Sequence, residues 1–178
     1  MAKILGSWSG MRKYLEKEML AESMRGRIRY NCTHYVGMDS ERIIELVLDG
    51  KTYKQFSWET VQSYFHRTGL VQHQDTKFSS TAEYWKGFWK MLEKVPISER
   101  TEYTDSEFCD ALEAYRNSDI ATSLAVDNPI QNMFAVLDRR IGKRTLVSIK
   151  DRMMQAPDWV RELYLARLKA ESIACFFV

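Results

Sequence analysis

The residues best placed to do chemistry are a cluster of cations around a glycine, Gly142. Within six positions the chain carries Arg139, Arg140, Lys143 and Arg144. A guanidinium group binds carboxylates and phosphates through a planar fork, and an ammonium group binds them as a point charge. Between residues 129 and 155 six cations stand against two acids, a net charge of +4. The pattern predicts either solvated charges on an exposed turn or a place where an anion binds.

An acidic segment upstream offers one such anion within the same chain. Residues 97–119 hold seven acids against two arginines, a net charge of −5. The two segments are similar in size and opposite in sign, so they can neutralise each other within the fold or between two subunits. The other interpretation is a site for an external anion, with Arg27 and Arg29 adding phosphate contacts. The sequence leaves both open.

A DNA-reading helix-turn-helix is a less suitable interpretation of the same turn. That motif needs a small residue about four positions before the turn glycine, so that the helices cross closely. Asp138 occupies this position. We therefore expect contacts to phosphate rather than to bases if the turn meets nucleic acid.

The residues needed for a catalytic centre are scarce. A serine or cysteine nucleophile requires a histidine base within reach, and the chain has only 3 histidines. No residues have metal-ligand spacing, and no glycine-rich loop follows a strand. A pocket joining His34, Glu45 and Lys54 would indicate a hydrolase or nuclease, although His34 is predicted to point into the core. We expect no cofactor, no metal and, on balance, no enzyme.

The corner with Gly142 is predicted to join two helices. Asn128 is a good N-cap, and Pro129 suits the first turn. The first helix would bury a stripe of apolar residues and end at Gly142 in the left-handed conformation. The stripe consists of Ile130, Met133, Phe134, Leu137 and Ile141; the second helix would bury Leu146, Ile149 and Met153.

Residues 8–67 have the pattern α-β-β-β-α, an order shared with double-stranded-RNA-binding domains. The first helix would end at Gly26. Asp49-Gly50 predicts a two-residue hairpin loop that places Leu46 opposite Tyr53 and Glu45 opposite Lys54. The Gly-Pro-x-His loop and the lysine pair of the RNA-binding domains are absent, so only the element order is shared.

The second part of the chain is predicted to be helical. It follows a boundary at residues 67–79 and starts at a capping box, Ser80–Glu83. The next helix is so rich in aromatic residues that it must be largely buried or lie in an interface. A second capping box, Thr104–Glu107, begins another helix, and Asp158 opens the last one.

Length and composition fit one cytoplasmic domain. The 178 residues are 45% hydrophobic and 28% charged, with a net charge of only +2, as in an ordinary globular protein. We predict an α+β fold over 1–178, with a three-stranded antiparallel sheet flanked by helices and a mainly helical C-terminal half. Its possible lobes are 1–68 and 80–178. The 3 scattered cysteines favour a reducing compartment, and we expect no membrane segment.

Two stretches resemble a family of small uncharacterised bacterial proteins of similar length. The first comprises Gly10–Leu15 with Arg25–Thr33, and the second runs from Asn128-Pro129 through Asp138–Leu146. The resemblance would cover most of the chain and implies a bacterial, cytoplasmic origin. It implies no activity, cofactor or catalytic residue.

The sequence hypotheses about function fall in three classes. The first is a non-enzymatic protein that binds another protein chain or its own copy. It is based on the many large aromatic residues and on the two segments of opposite charge. The second is nucleic-acid binding through the basic turn. The third is an unrecognised hydrolase or nuclease.

Overall fold

The computed structural model describes residues 7–34, 42–70 and 81–173. It confirms the α+β class: three antiparallel strands in the order β1-β2-β3, with helices before and after them and a mainly helical C-terminal half. The predicted boundary at 67–79 falls mostly, and the Ser80 cap wholly, outside the described residues. The division into lobes stays a prediction.

Short helices and three strands follow one another along the described part of the chain. They are α1 (Trp8–Lys13), a π-helix (Tyr14–Met19), a 3-10 turn (Glu22–Met24), β1 (Ile28–His34), β2 (Arg42–Leu48), β3 (Lys51–Phe56), α2 (Trp58–Arg67), α3 (Thr81–Lys94), a 3-10 turn (Ile97–Glu99), α4 (Asp105–Asn117), α5 (Ile120–Ala125), α6 (Pro129–Leu137), α7 (Lys143–Ser148), α8 (Lys150–Gln155) and α9 (Asp158–Ala170).

The hairpin forms where it was predicted, but the register beyond it differs. Asp49 and Gly50 both have positive φ, 50° and 81°, as a tight primed turn requires. A bulge between Leu46 and Val47 then shifts the pairing, so that Leu46 lies opposite Lys54 and Glu45 opposite Gln55. The predicted partners were therefore wrong by one residue, because a bulge adds a residue to one strand.

The main core surrounds α6, all of whose nine residues are buried. Helices α4, α5 and α9 pack around it. Phe134 of α6 packs against Phe108 and Tyr115 of α4, with ring centroids 5.3 and 5.8 Å apart. Each fully buried large side chain contributes about 1.5–3 kcal/mol. This core fixes the position of the corner that follows α6.

A smaller cluster joins α2 and α3. Val61 and Phe65 pack there with Phe88. Trp89, next to Phe88, is 47% exposed and lies 4.4 Å from Trp58, between ring centroids. Among the described side chains of α3 only Phe88 is buried, so the first of the two predicted alternatives, a largely buried helix, does not hold for them, and a place in an interface stays a prediction. An amphipathic helix with one buried face describes them better.

Candidate functional site: the basic corner

The corner begins where α6 stops, earlier than predicted. Asp138 is extended and forms an antiparallel bridge with Leu20. The amide of Ala21 donates to the carbonyl of Leu137, and the amide of Arg139 donates to the carbonyl of Met19, both at 2.8 Å. Met19 ends the π-helix, so the first helix also finishes here and not at Gly26. Backbone bonds between distant segments end both helices.

Gly142 has a different role from the one predicted. Its φ of −83° and ψ of 173° are extended, and it is the N-cap residue of α7. The prediction of a left-handed glycine ending a helix was wrong, because α6 has already ended at Leu137. Leu146 and Met153 are buried as predicted, and Ile149 is half-buried between α7 and α8.

Asp138 is the structural centre of the corner, and its side chain is fully buried. One carboxylate oxygen accepts the Tyr115 hydroxyl at 2.7 Å and the Arg140 Nε and Nη2 at 2.9 and 2.7 Å. The other accepts the Arg140 amide at 2.7 Å. A buried carboxylate needs such donors to offset its lost hydration. Arg140 is therefore occupied in holding the turn.

The titration behaviour of the neighbours agrees with this geometry. Hydrogen bonding to Asp138 raises the pKa of Arg140, which therefore stays protonated. Burial, helped by the charge of Asp138, raises the pKa of Tyr115, so its hydroxyl stays a donor. The guanidinium of Arg140 lies 5.7 Å from the centroid of the Tyr115 ring. The three groups form one closed unit.

The other three cations of the turn face outward. Arg139, Lys143 and Arg144 are exposed, and within the described ranges their side chains have no ion pair or hydrogen bond. Val147, 55% exposed, lies one helical turn beyond Lys143 and Arg144 on α7. We call Arg139, Lys143, Arg144 and Val147 the basic corner. It presents three unneutralised charges beside an apolar side chain.

The acidic segment makes its ion pairs elsewhere. Glu102 binds Lys54 at 2.6 Å and Asp105 binds Arg42 at 2.8 Å, while Glu107 binds Arg100. No ion pair in the described part of the chain joins this segment to the basic corner. Neutralisation between the two segments inside one subunit is thus not observed there.

Some acids of that segment remain on the surface. Asp110 is exposed and Glu113 half-exposed on α4, and neither has an ion pair among the residues described. They occupy positions i and i+3, so both lie on one face of the helix. The same molecule therefore displays an outward acidic surface as well as the basic corner.

The two earlier arginines do not join the basic corner. Arg27 binds Asp49 at the hairpin through two bonds of 2.8 and 2.7 Å. This hydrogen bonding raises the pKa of Arg27 and lowers that of Asp49. Arg29 is exposed on β1. As far as the described residues go, no bond connects either arginine with the corner.

Sequence reasoning missed one cation that the fold brings near the corner. Arg116 lies 4.9 Å from the centroid of the Tyr14 ring. Burial raises the pKa of Tyr14, and the nearby charges of Arg140 and Arg116 oppose that rise. This proximity depends on contacts between distant segments, the bridge between Leu20 and Asp138 and the hydrogen bond from Tyr115 to Asp138, so no local pattern could have indicated it.

The nuclease-like constellation is not assembled. Lys54 points inward, 8% exposed, while Glu45, opposite Gln55, lies on the other face of the sheet. His34, predicted to be in the core, is exposed at the last position of β1. That prediction failed because β1 leaves the core before its end: Cys32 is already half-buried.

Lys54 belongs to a structural ion pair. Its ammonium group lies 5.7 Å from the ring centroids of both Tyr103 and Trp159 and binds Glu102. Burial lowers the pKa of Lys54, and Glu102 opposes that change. The pair connects β3 with the loop before α4, close to α9.

No three His, Cys, Asp or Glu residues of the described part are grouped so that they could hold a metal. None of the helices among those residues is both long and apolar enough to cross a membrane.

Neither the curated proteins nor the solved structures contain a match. A family model matches residues 7–168, nearly the whole chain, including the π-helix, the corner and α9 up to Leu168. The chain therefore belongs to the SF0329 protein family.

Proposed function

We propose that the protein is a non-enzymatic binding protein that contacts other protein chains through the basic corner. One observation carries the proposal: Arg139, Lys143 and Arg144 are exposed without ion pairs in the described ranges, while the nearby Arg140 is paired with Asp138. A chain that uses one cation of a turn to build it and leaves three outward has charge available for a partner.

Val147 favours a protein as the partner. Protein interfaces combine an apolar centre with a polar rim, and the exposed valine beside two cations matches that arrangement. The cations would bind a phosphate backbone, but an exposed valine would add little to the affinity for it. An acidic protein surface with an apolar contact satisfies both features.

A second copy of the chain is the partner that fits best. Asp110 and Glu113 on α4 supply the complementary charge. Because the basic and acidic surfaces are different parts of the molecule, the contact is head-to-tail, which closes into a ring or continues into a chain of subunits. Surface charges of opposite sign also guide such an encounter.

Size exclusion with light scattering tests this proposal. We expect the mass to rise above the monomer value of 20.9 kDa as the concentration approaches high micromolar, and to fall back at high salt. Lys143→Glu with Arg144→Glu should abolish the rise. Lys51→Glu with Arg29→Glu, an equal charge change on exposed strand residues, should leave it intact. A strict monomer would overturn self-association.

Nucleic-acid binding is the second candidate, favoured by the three exposed cations of the corner and by Arg116, which lies close to Tyr14 as Arg140 does. Each phosphate contact steepens the fall of affinity with salt. An electrophoretic shift of DNA or RNA at low salt, lost when Lys143 and Arg144 become alanine, would support it. No shift at low salt would remove it.

A further inference from the structure

The outer face of α1 and the π-helix carries a cavity of about 240 Å³. It lies on a different segment from the basic corner and does not depend on the proposed function. The residues lining it are Trp8, Ser9, Arg12, Lys13, Glu16 and Lys17. The lining combines an aromatic ring with basic groups, as a binding site for a ring that carries an anion would.

The cavity is strongly cationic. Three basic side chains face one carboxylate, and Glu16 is already engaged: one oxygen accepts the amide of Tyr30 at 2.8 Å. Its other oxygen is 3.9 Å from Arg12, a long and exposed contact that holds the arginine weakly. Lys13 and Lys17 have no ion pair within the described part of the chain. Like charges that line one cavity repel each other, so a bound anion would lower this repulsion.

The backbone under the cavity is unusual. Six consecutive residues, Tyr14–Met19, form a π-helix. Such turns are rare and occur frequently at functional sites, because the extra residue displaces side chains from the ordinary helical spacing. Leu15 and Met19 hold the inner face of the π-helix in the core. The side chains that are displaced from α-helical positions are therefore those of the outer face, where Glu16 and Lys17 line the cavity.

We propose that this cavity binds a small phosphorylated compound with a planar ring, of the nucleoside monophosphate class. The ring contacts Trp8, which is half-buried and has the large flat surface that stacks on heterocycles. The phosphate binds Lys13 and Lys17, with Arg12 beside them, through charge-assisted hydrogen bonds. The volume is slightly below that of pockets for drug-sized ligands, which suits a small ligand.

Calorimetric titration of the full chain tests the ligand class. Adenosine 5′-monophosphate should bind, with adenosine and inorganic phosphate each at least tenfold weaker, because each lacks one of the two contacts. Binding should quench part of the tryptophan fluorescence, and Trp8→Phe should remove that quenching. Absence of binding at millimolar concentration would overturn the proposal, as would tighter binding of a single-stranded oligonucleotide than of the monophosphate.

Paired variants test the location. Lys13→Ala with Lys17→Ala should weaken binding of the monophosphate at least tenfold while leaving the folded state intact, since both side chains are exposed. The matched control is Lys143→Ala with Arg144→Ala, which removes two exposed cations from the corner and should change binding less than twofold. Equal losses in both variants would mean general attraction to positive charge and would overturn the cavity assignment. The corner variant failing in self-association has no bearing on this result.

Discussion

Adjacent in the chain, Arg139 and Arg140 have different surroundings. The amide of Arg139 donates to the carbonyl of Met19, and its side chain is exposed to solvent. Arg140 binds the buried carboxylate of Asp138 with three of its donors. Individual side chains therefore divide the corner into a part that builds the fold and a part that is available for binding.

Stability measurements can separate these two parts. Asp138→Ala should lower the free energy of unfolding by about 3 kcal/mol, because it removes a buried carboxylate that several donors share. Arg139→Ala should change it by less than about 0.5 kcal/mol, as exposed substitutions do. Urea unfolding followed by circular dichroism measures both. Equal effects would contradict the division.

The pair of Lys54 and Glu102 makes a pH-dependent prediction. Glu102→Gln leaves the lysine buried without a counter-charge, so stability at pH 7 should fall by about 2 kcal/mol. Burial already lowers the pKa of Lys54, and without Glu102 it falls further below its unfolded value. The unfolded state then binds more protons, so the stability of the variant rises with pH relative to the wild type. Urea unfolding at pH 7 and pH 10 should show a narrowing difference; a constant or widening one would contradict this account.

At the scale of elements, local signals were predicted well and long-range ones were not. The caps at Thr104 and Asn128 form as expected, since a cap depends only on residues within one turn. The ends of the π-helix and of α6 depend on the bridge between Leu20 and Asp138. Those residues are far apart in sequence, so no periodicity marks their pairing. The bulge that moved Lys54 away from Glu45 likewise had no signature.

Two glycines test the element boundaries. Gly142→Ser should stabilise the protein by a few tenths of a kcal/mol. Gly142 is an extended N-cap residue without a side chain, and a serine hydroxyl there could accept a hydrogen bond from a free backbone amide of the first turn of α7. Gly50→Ser should destabilise it by about 1 kcal/mol, since φ there is 81°. Thermal unfolding compares the pair. If Gly142→Ser instead destabilised the protein, that result would contradict the N-cap role of Gly142 and would support the left-handed conformation predicted from sequence.

For the molecule as a whole, the proposed binding depends on where the charged side chains lie and not on the net charge. The total is only +2, yet the fold groups exposed cations at the corner and leaves Asp110 and Glu113 outward on α4. The clusters themselves were predictable from sequence. Which acids form internal ion pairs was not predictable, because Arg42 and Lys54 of the sheet approach the acidic segment only in the folded chain.

A charge-reversal mixing experiment, monitored by light scattering, tests the central claim most directly. One variant carries Lys143→Glu and Arg144→Glu, and the other carries Asp110→Lys and Glu113→Lys. Each alone has two surfaces of like charge and should stay monomeric, whereas an equimolar mixture should associate and lose that association at high salt. A wild type that associates while the mixture remains monomeric would contradict the pairing of these surfaces, and a wild type that never associates would contradict the claim itself.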